Sequence, residues 1–521
     1  MRHPFKREFV LAAALIALTI WAIAERVTST TRTQTQPAPP PKSTGTVASF
    51  DAALARDIDQ LIDNSDSAKA RWGVFVMSLK DRRVLYSRDG DRLFTPASNM
   101  KIYTTAIALD LLGVDYRWRT SVYSSTQPTS DGVIDGDLIL YGRGAPDLDS
   151  KKAESLPALA EQLRARGVRR IRGKIIGDES YFRGEVYGVG WQWNDLQWYY
   201  GAQPSALSID ENALEITLGP GKKSEDPASV VITPNDGRLQ LTNNATTGER
   251  DAATTIGIER GLSNNDIVVW GEFPMAGHSY SAFLSVRDPA LRTATIFRQL
   301  LNARGIQVDG DAETRNYRVT ESKRFDPQTA IELAYIESAP LTNIVRTTNK
   351  ESNNLYAELV LRTLGKEKGT SVPDPNPRKN AARGDDEAGV AVIKKWLSDQ
   401  NIDSSSIAIH DGSGLSRLDL ITPETTARLL AIATQARWRQ SFYDSLPLAG
   451  HDGTLQGRLI NVAGRLVAKT GSLTYDHSLS GYATTPSGDF VAFSIICNDA
   501  TGQTRPVRTI DAIASRIAEG R

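Results

Sequence analysis

Three short strings, far apart in the chain, constrain the fold most, because their side chains form one chemical set only when the chain brings them together. They are Ser98-Asn-Met-Lys101, Ser352-Asn-Asn354 and Lys469-Thr-Gly471, with the patterns S-x-x-K, S-x-N and K-T-G. Together they supply a hydroxyl nucleophile with a neighbouring amine, a polar pair and a second cation. Each string alone is common by chance, but the three in this order indicate one site.

The first string lies where a helix is expected to begin. Ser98 follows Pro96, and the apolar run over residues 100–112 predicts a buried helix that ends at Gly113. A spacing of three residues places Lys101 beside Ser98 on one helix face. A neutral Lys101 could accept the hydroxyl proton, provided that burial and a second cation lower its pKa. The alternative is a helix-capping serine followed by a solvated lysine.

The second string opens an amphipathic stretch that runs to Leu364. A position at a helix start holds side chains rigidly. If the three strings form one site, Ser352 would relay protons between the nucleophile, the lysines and the leaving amine, and Asn354 would donate to a substrate amide; both roles require such rigidity. The alternative is again a helix cap.

The third string lies in a predicted strand over residues 465–473, and two more strands are expected over 479–485 and 490–497. Gly471 would let a substrate backbone approach the strand edge closely. The alternative is an ordinary antiparallel strand with no role in a site.

Beyond the three strings, the chain resembles the D-alanyl-D-alanine carboxypeptidase family of low-molecular-mass class C penicillin-binding proteins, the peptidase S13 or penicillin-binding protein 4 type. The segments that carry the resemblance are Thr95-Pro-Ala-Ser-Asn-Met-Lys101, Trp193-Asn-Asp195, Gly201-Ala-Gln-Pro-Ser-Ala206, Asp411-Gly-Ser-Gly-Leu-Ser-Arg417, Leu446-Pro-Leu-Ala-Gly450 and Ala468-Lys-Thr-Gly-Ser-Leu473. They span nearly everything after about Ser49.

The resemblance and the spacing predict an α+β fold with a large insertion. About 250 residues separate Lys101 from Ser352, which is enough for one or two extra domains. A penicillin-binding or β-lactamase-like transpeptidase domain, an antiparallel sheet flanked by helices, is expected from residues 49–121 and 330–521. A β-rich accessory region is expected over residues 122–329, where short β-like runs are separated by Gly, Asp and Asn.

The resemblance implies a serine-type carboxypeptidase that acts on peptidoglycan stem peptides through an acyl-enzyme. Ser98 would attack the carbonyl of the penultimate D-alanine with Lys101 as base. The backbone amides of Ser98 and Ser472 would form the oxyanion hole. Ser352 would pass a proton to the departing D-alanine, and a β-lactam would leave a blocking adduct on the same serine.

Substrate binding is expected at the third string and at two more distant residues. Lys469, Thr470 and Gly471 would hold the end of the substrate that carries the terminal carboxylate. The resemblance places Arg417 and Asp195 near the pocket for the peptide side chain, which is diaminopimelate in many bacteria. A guanidinium and a carboxylate suit that zwitterionic end. Cleavage of D-alanyl-diaminopimelyl cross-links is a further expectation.

Two other functions remain open from the sequence. A β-lactamase would need a fast deacylation base beyond the three strings, and a non-catalytic peptidoglycan-binding or β-lactam-sensing protein would need no reactive set. A Ser-His-Asp hydrolase would need His451 or His477 as base, and a G-x-S-x-G elbow does not accompany them.

Composition and motifs give no indication of a nucleic-acid partner, a metal or a cofactor. Lys plus Arg and Asp plus Glu number 61 each, so the net charge is zero and gives no indication of a nucleic-acid partner. No metal-ligand, phosphate or other cofactor motif is present, so neither a metal nor a cofactor is expected. The single cysteine, Cys497, excludes an internal disulfide and is expected to be buried in a strand.

The N-terminus predicts export. Basic residues precede an apolar run over residues 9–24, and the sixteen residues of that run fall short of the roughly 20 that span a bilayer. Residues 1–24 are therefore expected to be a signal peptide, with a retained membrane anchor as the alternative. Residues 25–48 are expected to be a disordered linker. Either way the folded part would lie in the periplasm or on the outer face of the cytoplasmic membrane, in an oligomeric state that the sequence leaves open.

Overall fold

The computed structural model describes residues 52–234, 239–318, 324–371 and 383–520. These residues belong to one unit, Phe50–Arg521. The predicted signal peptide or anchor (1–24) and linker (25–48) lie outside the described residues. Within the described ranges, no helix is both long and apolar enough to cross a bilayer.

Strands and helices follow one another irregularly along the chain. The strands are β1 (Arg71–Ser78), β2 (Val84–Arg88), β3 (Arg119–Ser124), β4 (Val133–Ile134), β5 (Leu138–Tyr141), β6 (Arg170–Ile171), β7 (Ile175–Asp178), β8 (Ala213–Gly219), β9 (Ser229–Thr233), β10 (Leu241–Gly248), β11 (Gly257–Arg260), β12 (Ile267–Pro274), β13 (Tyr280–Ser285), β14 (Gln307–Val308), β15 (Ala312–Arg315), β16 (Ile331–Glu337), β17 (Leu466–Leu473), β18 (Asp476–Thr484) and β19 (Phe490–Asn498). The α-helices are α1 (Ala52–Asp63), α2 (Met100–Leu111), α3 (Leu156–Ala165), α4 (Pro289–Ala303), α5 (Leu341–Lys350), α6 (Asn354–Lys368), α7 (Asp385–Asp399), α8 (Pro423–Ala433), α9 (Arg439–Ser445) and α10 (Pro506–Glu519).

A five-stranded antiparallel sheet, in the order β17-β18-β19-β1-β2, carries the third string at its edge. Side chains of β1 alternate between its two faces: Phe75 and Met77 enter one core, and Trp72, Val74 and Val76 enter the other. Helices α1 and α10 cover the second face, whereas α2 and α5 to α9 cover the first. The predicted antiparallel sheet flanked by helices is confirmed, and Cys497 is buried in β19 as expected.

The helices that carry the first two strings begin and end where the local sequence favours it. A 3₁₀ turn, Ala97–Asn99, leads directly into α2, and Gly113 follows with a φ of 93° that suits glycine. Helix α6 starts after Asn353, whose side chain accepts a hydrogen bond from the amide of Tyr356. The helix-cap role that the sequence left open for Ser352 therefore falls to its neighbour.

In the described ranges, the insertion and the strands that flank it form four sheets, ordered β15-β7-β5-β3-β16, β14-β6-β4, β13-β8-β9 and β10-β12-β11. The first holds parallel pairs between β5, β7 and β15 and antiparallel pairs between β3 and its two neighbours. One hydrophobic core lies between this sheet and helices α3 and α4, and a separate core joins the sheets β13-β8-β9 and β10-β12-β11. The insertion is therefore β-rich, with two cores.

The split of the chain at 121/122 and 329/330 remains a prediction. Strand β3 includes residues on both sides of the first position, and it pairs with β16, which begins just after the second. The entry and exit of the insertion are thus adjacent strands of one sheet. This arrangement allows a large insertion while the two flanking parts of the chain stay close together.

Candidate active site

Ser98 lies in a tight turn that is hydrogen-bonded to strand β18 of the five-stranded antiparallel sheet. Its neighbour Ala97 has a φ of 48°, an uncommon conformation for a residue with a Cβ. The hydroxyl of Ser478 donates to the carbonyl of Pro96 at 2.6 Å, and the Asn99 amide donates to Ser480 Oγ at 2.7 Å. Both serines lie on β18, so the nucleophile turn is held against the sheet at two points.

Lys101 is fully buried and directed at Ser98. Its amine donates to Ser98 Oγ at 2.9 Å, to Asn354 Oδ1 at 2.6 Å and to the carbonyl of Ser413 at 2.8 Å. Burial lowers the pKa of Lys101 to about 7, against the opposing effect of the carboxylates of Asp411 and Glu358. A lysine with this pKa is neutral in a large fraction of molecules near neutral pH, as a general base requires.

The second string contributes two side chains from either side of the start of α6. Ser352 has a φ of 59° and accepts a hydrogen bond from the amine of Lys469 at 2.8 Å. Asn354 accepts from Lys101 and donates through Nδ2 to the carbonyl of Tyr200 at 2.8 Å. The insertion, through Tyr200, thus contacts the same asparagine that contacts the predicted base.

The third string lies on β17, the edge strand beside the nucleophile turn. Lys469 is fully buried, and burial followed by the charge of Lys101 holds the pKa of Lys469 well below its usual value. The hydroxyl of Thr470 donates to Thr454 at 2.7 Å. A Cβ on Gly471 would lie 2.2 Å from Ser478 Oγ and 2.8 Å from the carbonyl of Pro96. Glycine is thus required here by the nucleophile turn, whereas the sequence suggested room for substrate.

A cavity of about 590 Å³ opens between the transpeptidase-like part and the insertion. The residues on its wall that the sequence predicted are Ser98, Ser352, Asn354, Thr470, Ser472, Arg417 and Asp195. Lys101 and Lys469 lie behind this wall, since both are fully buried. The structure therefore brings all three strings to one cleft, with the two amines beneath it.

Arg417 and Asp195 face the same cleft from opposite parts of the chain. The guanidinium of Arg417 donates to Asp476 at 3.1 Å and to the carbonyl of Thr474 at 3.0 Å. Burial raises the pKa of Asp195, and the charge of Arg417 opposes that shift. The hydroxyl of Tyr200 also bonds to Asp195. An acid and a cation thus lie close enough to interact at the wall of the cleft.

The sequence did not single out several residues of the site. Thr454, Arg458 and Glu211 line the cleft, and Glu358 is buried behind it. A signal for Glu358 was present, since it follows Asn354 by four residues and is a charged residue among apolar neighbours on α6. No group of three or more His, Cys, Asp or Glu side chains in the described ranges is arranged to hold a metal ion.

Known proteins resemble this chain over most of its length. The model of the family described as "D-Ala-D-Ala carboxypeptidase 3 (S13) family" matches residues 54–519. A D-alanyl-D-alanine carboxypeptidase of Actinomadura sp. is 35% identical over 479 residues, which cover 89% of this chain and 84% of the relative.

Solved structures show the same fold. Penicillin binding protein 4 of Haemophilus influenzae has a TM-score of 0.75 at 23% identity, covering 88% of this chain and 98% of its own. Its complex with a β-lactam has a TM-score of 0.70 at 22% identity, with the same coverage. The expected fold class is therefore confirmed. The family match and the Actinomadura relative likewise confirm the resemblance seen in the sequence, and this chain belongs to the D-Ala-D-Ala carboxypeptidase 3 (S13) family.

Proposed function

We propose that this protein is a serine-type D-Ala-D-Ala carboxypeptidase that trims peptidoglycan stem peptides through an acyl-enzyme on Ser98. The observation that carries the proposal is the 2.9 Å hydrogen bond from the Lys101 amine to Ser98 Oγ, in a site where burial lowers the pKa of Lys101 to about 7. A hydroxyl with an adjacent, partly neutral amine is an activated nucleophile.

In the first step, Ser98 Oγ bonds to the carbonyl carbon of the penultimate D-alanine while its proton passes to Lys101. The carbonyl oxygen becomes an oxyanion, which the backbone N–H groups of Ser98 and Ser472 stabilise. Both residues line the cleft, on the nucleophile turn and on β17. The peptide bond then breaks, and the terminal D-alanine leaves as an amine after it gains a proton through Ser352.

Lys469 and Thr470 recognise the terminal carboxylate of the substrate. The hydroxyl of Thr470 is at the cleft wall, whereas the Lys469 amine lies behind it and donates to Ser352. A carboxylate near Lys469 favours the charged amine, and that charge disfavours a second charge on Lys101. Binding of the substrate thus drives Lys101 toward the neutral form that accepts the Ser98 proton.

The second step is hydrolysis of the acyl-enzyme, which regenerates the free enzyme. By then the Ser98 proton has passed from Lys101 through Ser352 to the leaving amine, so Lys101 is neutral again. A water molecule gives a proton to Lys101 and attacks the acyl carbon, the ester bond to Ser98 breaks, and Lys101 passes that proton to Ser98 Oγ. The products are the shortened stem peptide and free enzyme. A β-lactam acylates Ser98 by the same first step, but its ring-opened product stays attached to the acyl carbon and blocks the entry of water.

Arg417 and Asp195 bind the zwitterionic end of a diaminopimelate side chain, Arg417 its carboxylate and Asp195 its ammonium group. This assignment is supported by their interaction across the cleft wall. The same cleft would accept a D-alanyl-diaminopimelyl cross-link, whose leaving amine belongs to a second stem peptide, and the protein would then also act as an endopeptidase.

The enzyme is proposed to act outside the cytoplasmic membrane, because its substrate lies there. The apolar run over residues 9–24 supports export, as a cleaved signal peptide or as an anchor that associates the protein with the membrane.

The test is a pair of measurements on one preparation. Release of D-alanine from purified muropeptides is expected, together with a durable covalent label from a fluorescent penicillin. A label that is rapidly lost would instead identify a β-lactamase. No label and no D-alanine release would identify a non-catalytic binding or sensing protein.

A further inference from the structure

Behind Lys101 lies a loop, residues 411–417, that contacts Lys101, the nucleophile turn and the cleft. Its Ser413 carbonyl accepts the hydrogen bond from the Lys101 amine at 2.8 Å, and its last residue is Arg417 in the cleft. Gly414 packs directly on the nucleophile turn, since a Cβ there would lie 1.8 Å from the carbonyl of Ala97. The position of this loop therefore fixes one of three hydrogen-bond acceptors of Lys101.

Glu358 holds the loop from the side of α6. Its Oε1 accepts from the amides of Gly412 at 3.0 Å and Ser413 at 2.8 Å. The side chain is 1% exposed. Because Glu358 follows Asn354 by one helical turn, the same face of α6 contacts Lys101 directly through Asn354 and indirectly through the Ser413 peptide.

Asp411 holds the loop from within. Its carboxylate accepts from the amides of Gly414 and Ser416, both at 2.7 Å, and from the hydroxyl of Ser413 at 3.3 Å. Buried carboxylates with several N–H donors make strong hydrogen bonds and hold a loop in one conformation.

The insertion supplies a fourth donor to the same carboxylate. The indole N–H of Trp191 donates to Asp411 Oδ2 at 2.8 Å. The adjoining backbone takes part as well, since the hydroxyl of Ser416 donates to the carbonyl of Val189 at 2.7 Å. Trp193, two residues further along, is 73% exposed.

We propose that Glu358 and Trp191 are positioning residues for Lys101, acting through the 411–417 loop, so that the insertion takes part in acylation as well as in substrate recognition. This inference rests on the proposed function, in which Lys101 is the base. Displacement of the Ser413 carbonyl would let the Lys101 amine move away from Ser98 Oγ, and small misplacements of a base are costly in rate.

The first experiment compares Trp191→Phe with the matched control Trp193→Phe. Phenylalanine keeps an aromatic ring and removes only the N–H group. The measurement is the rate constant of acylation at saturating fluorescent penicillin, together with the fraction of Ser98 finally labelled. Trp191→Phe should acylate about three- to tenfold more slowly with full labelling, and Trp193→Phe should match the wild type. Wild-type acylation by Trp191→Phe would overturn the role of Trp191.

The second experiment compares Glu358→Gln with Glu358→Leu. Glutamine keeps the oxygen acceptor of Glu358. Burial and the charge of Asp411 raise the pKa of Glu358, so glutamine also resembles the protonated side chain. Glu358→Gln should acylate within about threefold of the wild type, and Glu358→Leu about a hundredfold more slowly per labelled serine. Glu367→Gln, at an exposed position of the same helix, is the control.

The fraction labelled separates positioning from folding. A merely structural role would reduce the number of labelled serines and the melting temperature while the remaining sites react at the wild-type rate, and that result in Glu358→Leu would overturn the proposal. Equal slow rates in Glu358→Gln and Glu358→Leu would also overturn it. Failure of the proposed function is distinct, because the wild-type protein itself would then take no label or would lose its label rapidly.

Discussion

The amine of Lys101 lies 2.6 Å from Oδ1 of Asn354, although 253 positions separate the two residues in the chain. The same amine is 2.9 Å from Ser98 Oγ. The predicted base is thus oriented by a residue on the far side of the insertion. Burial lowers the pKa of Lys101, so the rate of acylation should depend on pH.

Acylation of Ser98 should increase as the pH rises through about 7. Burial lowers the pKa of Lys101 to about 7, and only the neutral amine accepts the hydroxyl proton, so the rate should fall about tenfold for each pH unit below that value. The measurement is the rate constant for labelling by fluorescent penicillin from about pH 5 to 9. A rate that stays flat below pH 7 would contradict the role of Lys101.

Ser98→Ala should abolish covalent labelling by penicillin without changing the melting temperature. The substitution removes the nucleophilic oxygen and leaves the packing of the turn unchanged. Ser406→Ala, at an exposed serine, provides the control and should be labelled fully. Undiminished labelling of Ser98→Ala would remove this serine from the mechanism.

Lys469→Ala should weaken turnover of substrates with a free terminal carboxylate far more than turnover of their amides. The positive charge behind the cleft acts on the carboxylate, and a charged hydrogen bond or ion pair of this kind contributes about 1.5 to 3 kcal/mol. The measurement is kcat/KM for each substrate of the pair, with Lys395→Ala as an exposed control. Equal losses on both substrates would argue against carboxylate recognition.

Arg417→Ala and Asp195→Ala should each reduce kcat/KM on diaminopimelate peptides by roughly ten- to a hundredfold. An unbranched substrate such as N-acetylated D-alanyl-D-alanine should be spared, because it lacks the zwitterionic end. Arg417 also pairs with Asp476, so the melting temperature must be measured as well. A parallel fall on both substrates would refute a role in specificity.

Gly471→Ala should slow acylation by about tenfold or more. The new Cβ would lie 2.2 Å from Ser478 Oγ and 2.8 Å from the carbonyl of Pro96, so the nucleophile turn must shift. Gly457→Ala is the matched control, since a Cβ at Gly457 meets no atom within 4 Å. Wild-type acylation in Gly471→Ala would show that the turn tolerates the shift.

Local patterns predicted the elements that carry the three strings, because each of those elements has its own sequence signal. Helix α2 follows from its apolar run and Gly113, and strands β17 to β19 follow from short apolar runs separated by turns. The sequence singled out residues 411–417 but did not predict that they lie behind Lys101, because their hydrogen bonds to Glu358 and Trp191 cross long stretches of chain. The strand order of the insertion could not be predicted either, because a parallel pair such as β5 with β7 has no signal in the local sequence.

Because β1 pairs with β19, the active site can assemble only after a late part of the chain has been synthesised. Arg71 is in register with Asn498, so the second strand neighbour of β1 is made only after residue 490 has been synthesised. Strands β17 and β18, which carry Lys469 and hold the Ser98 turn, are joined to β1 in the sheet only through β19. Nascent or C-terminally truncated chains should therefore be latent, and closure of such distant ends is slow. The acylating serine therefore becomes active only when segments made early and segments made late in synthesis have paired.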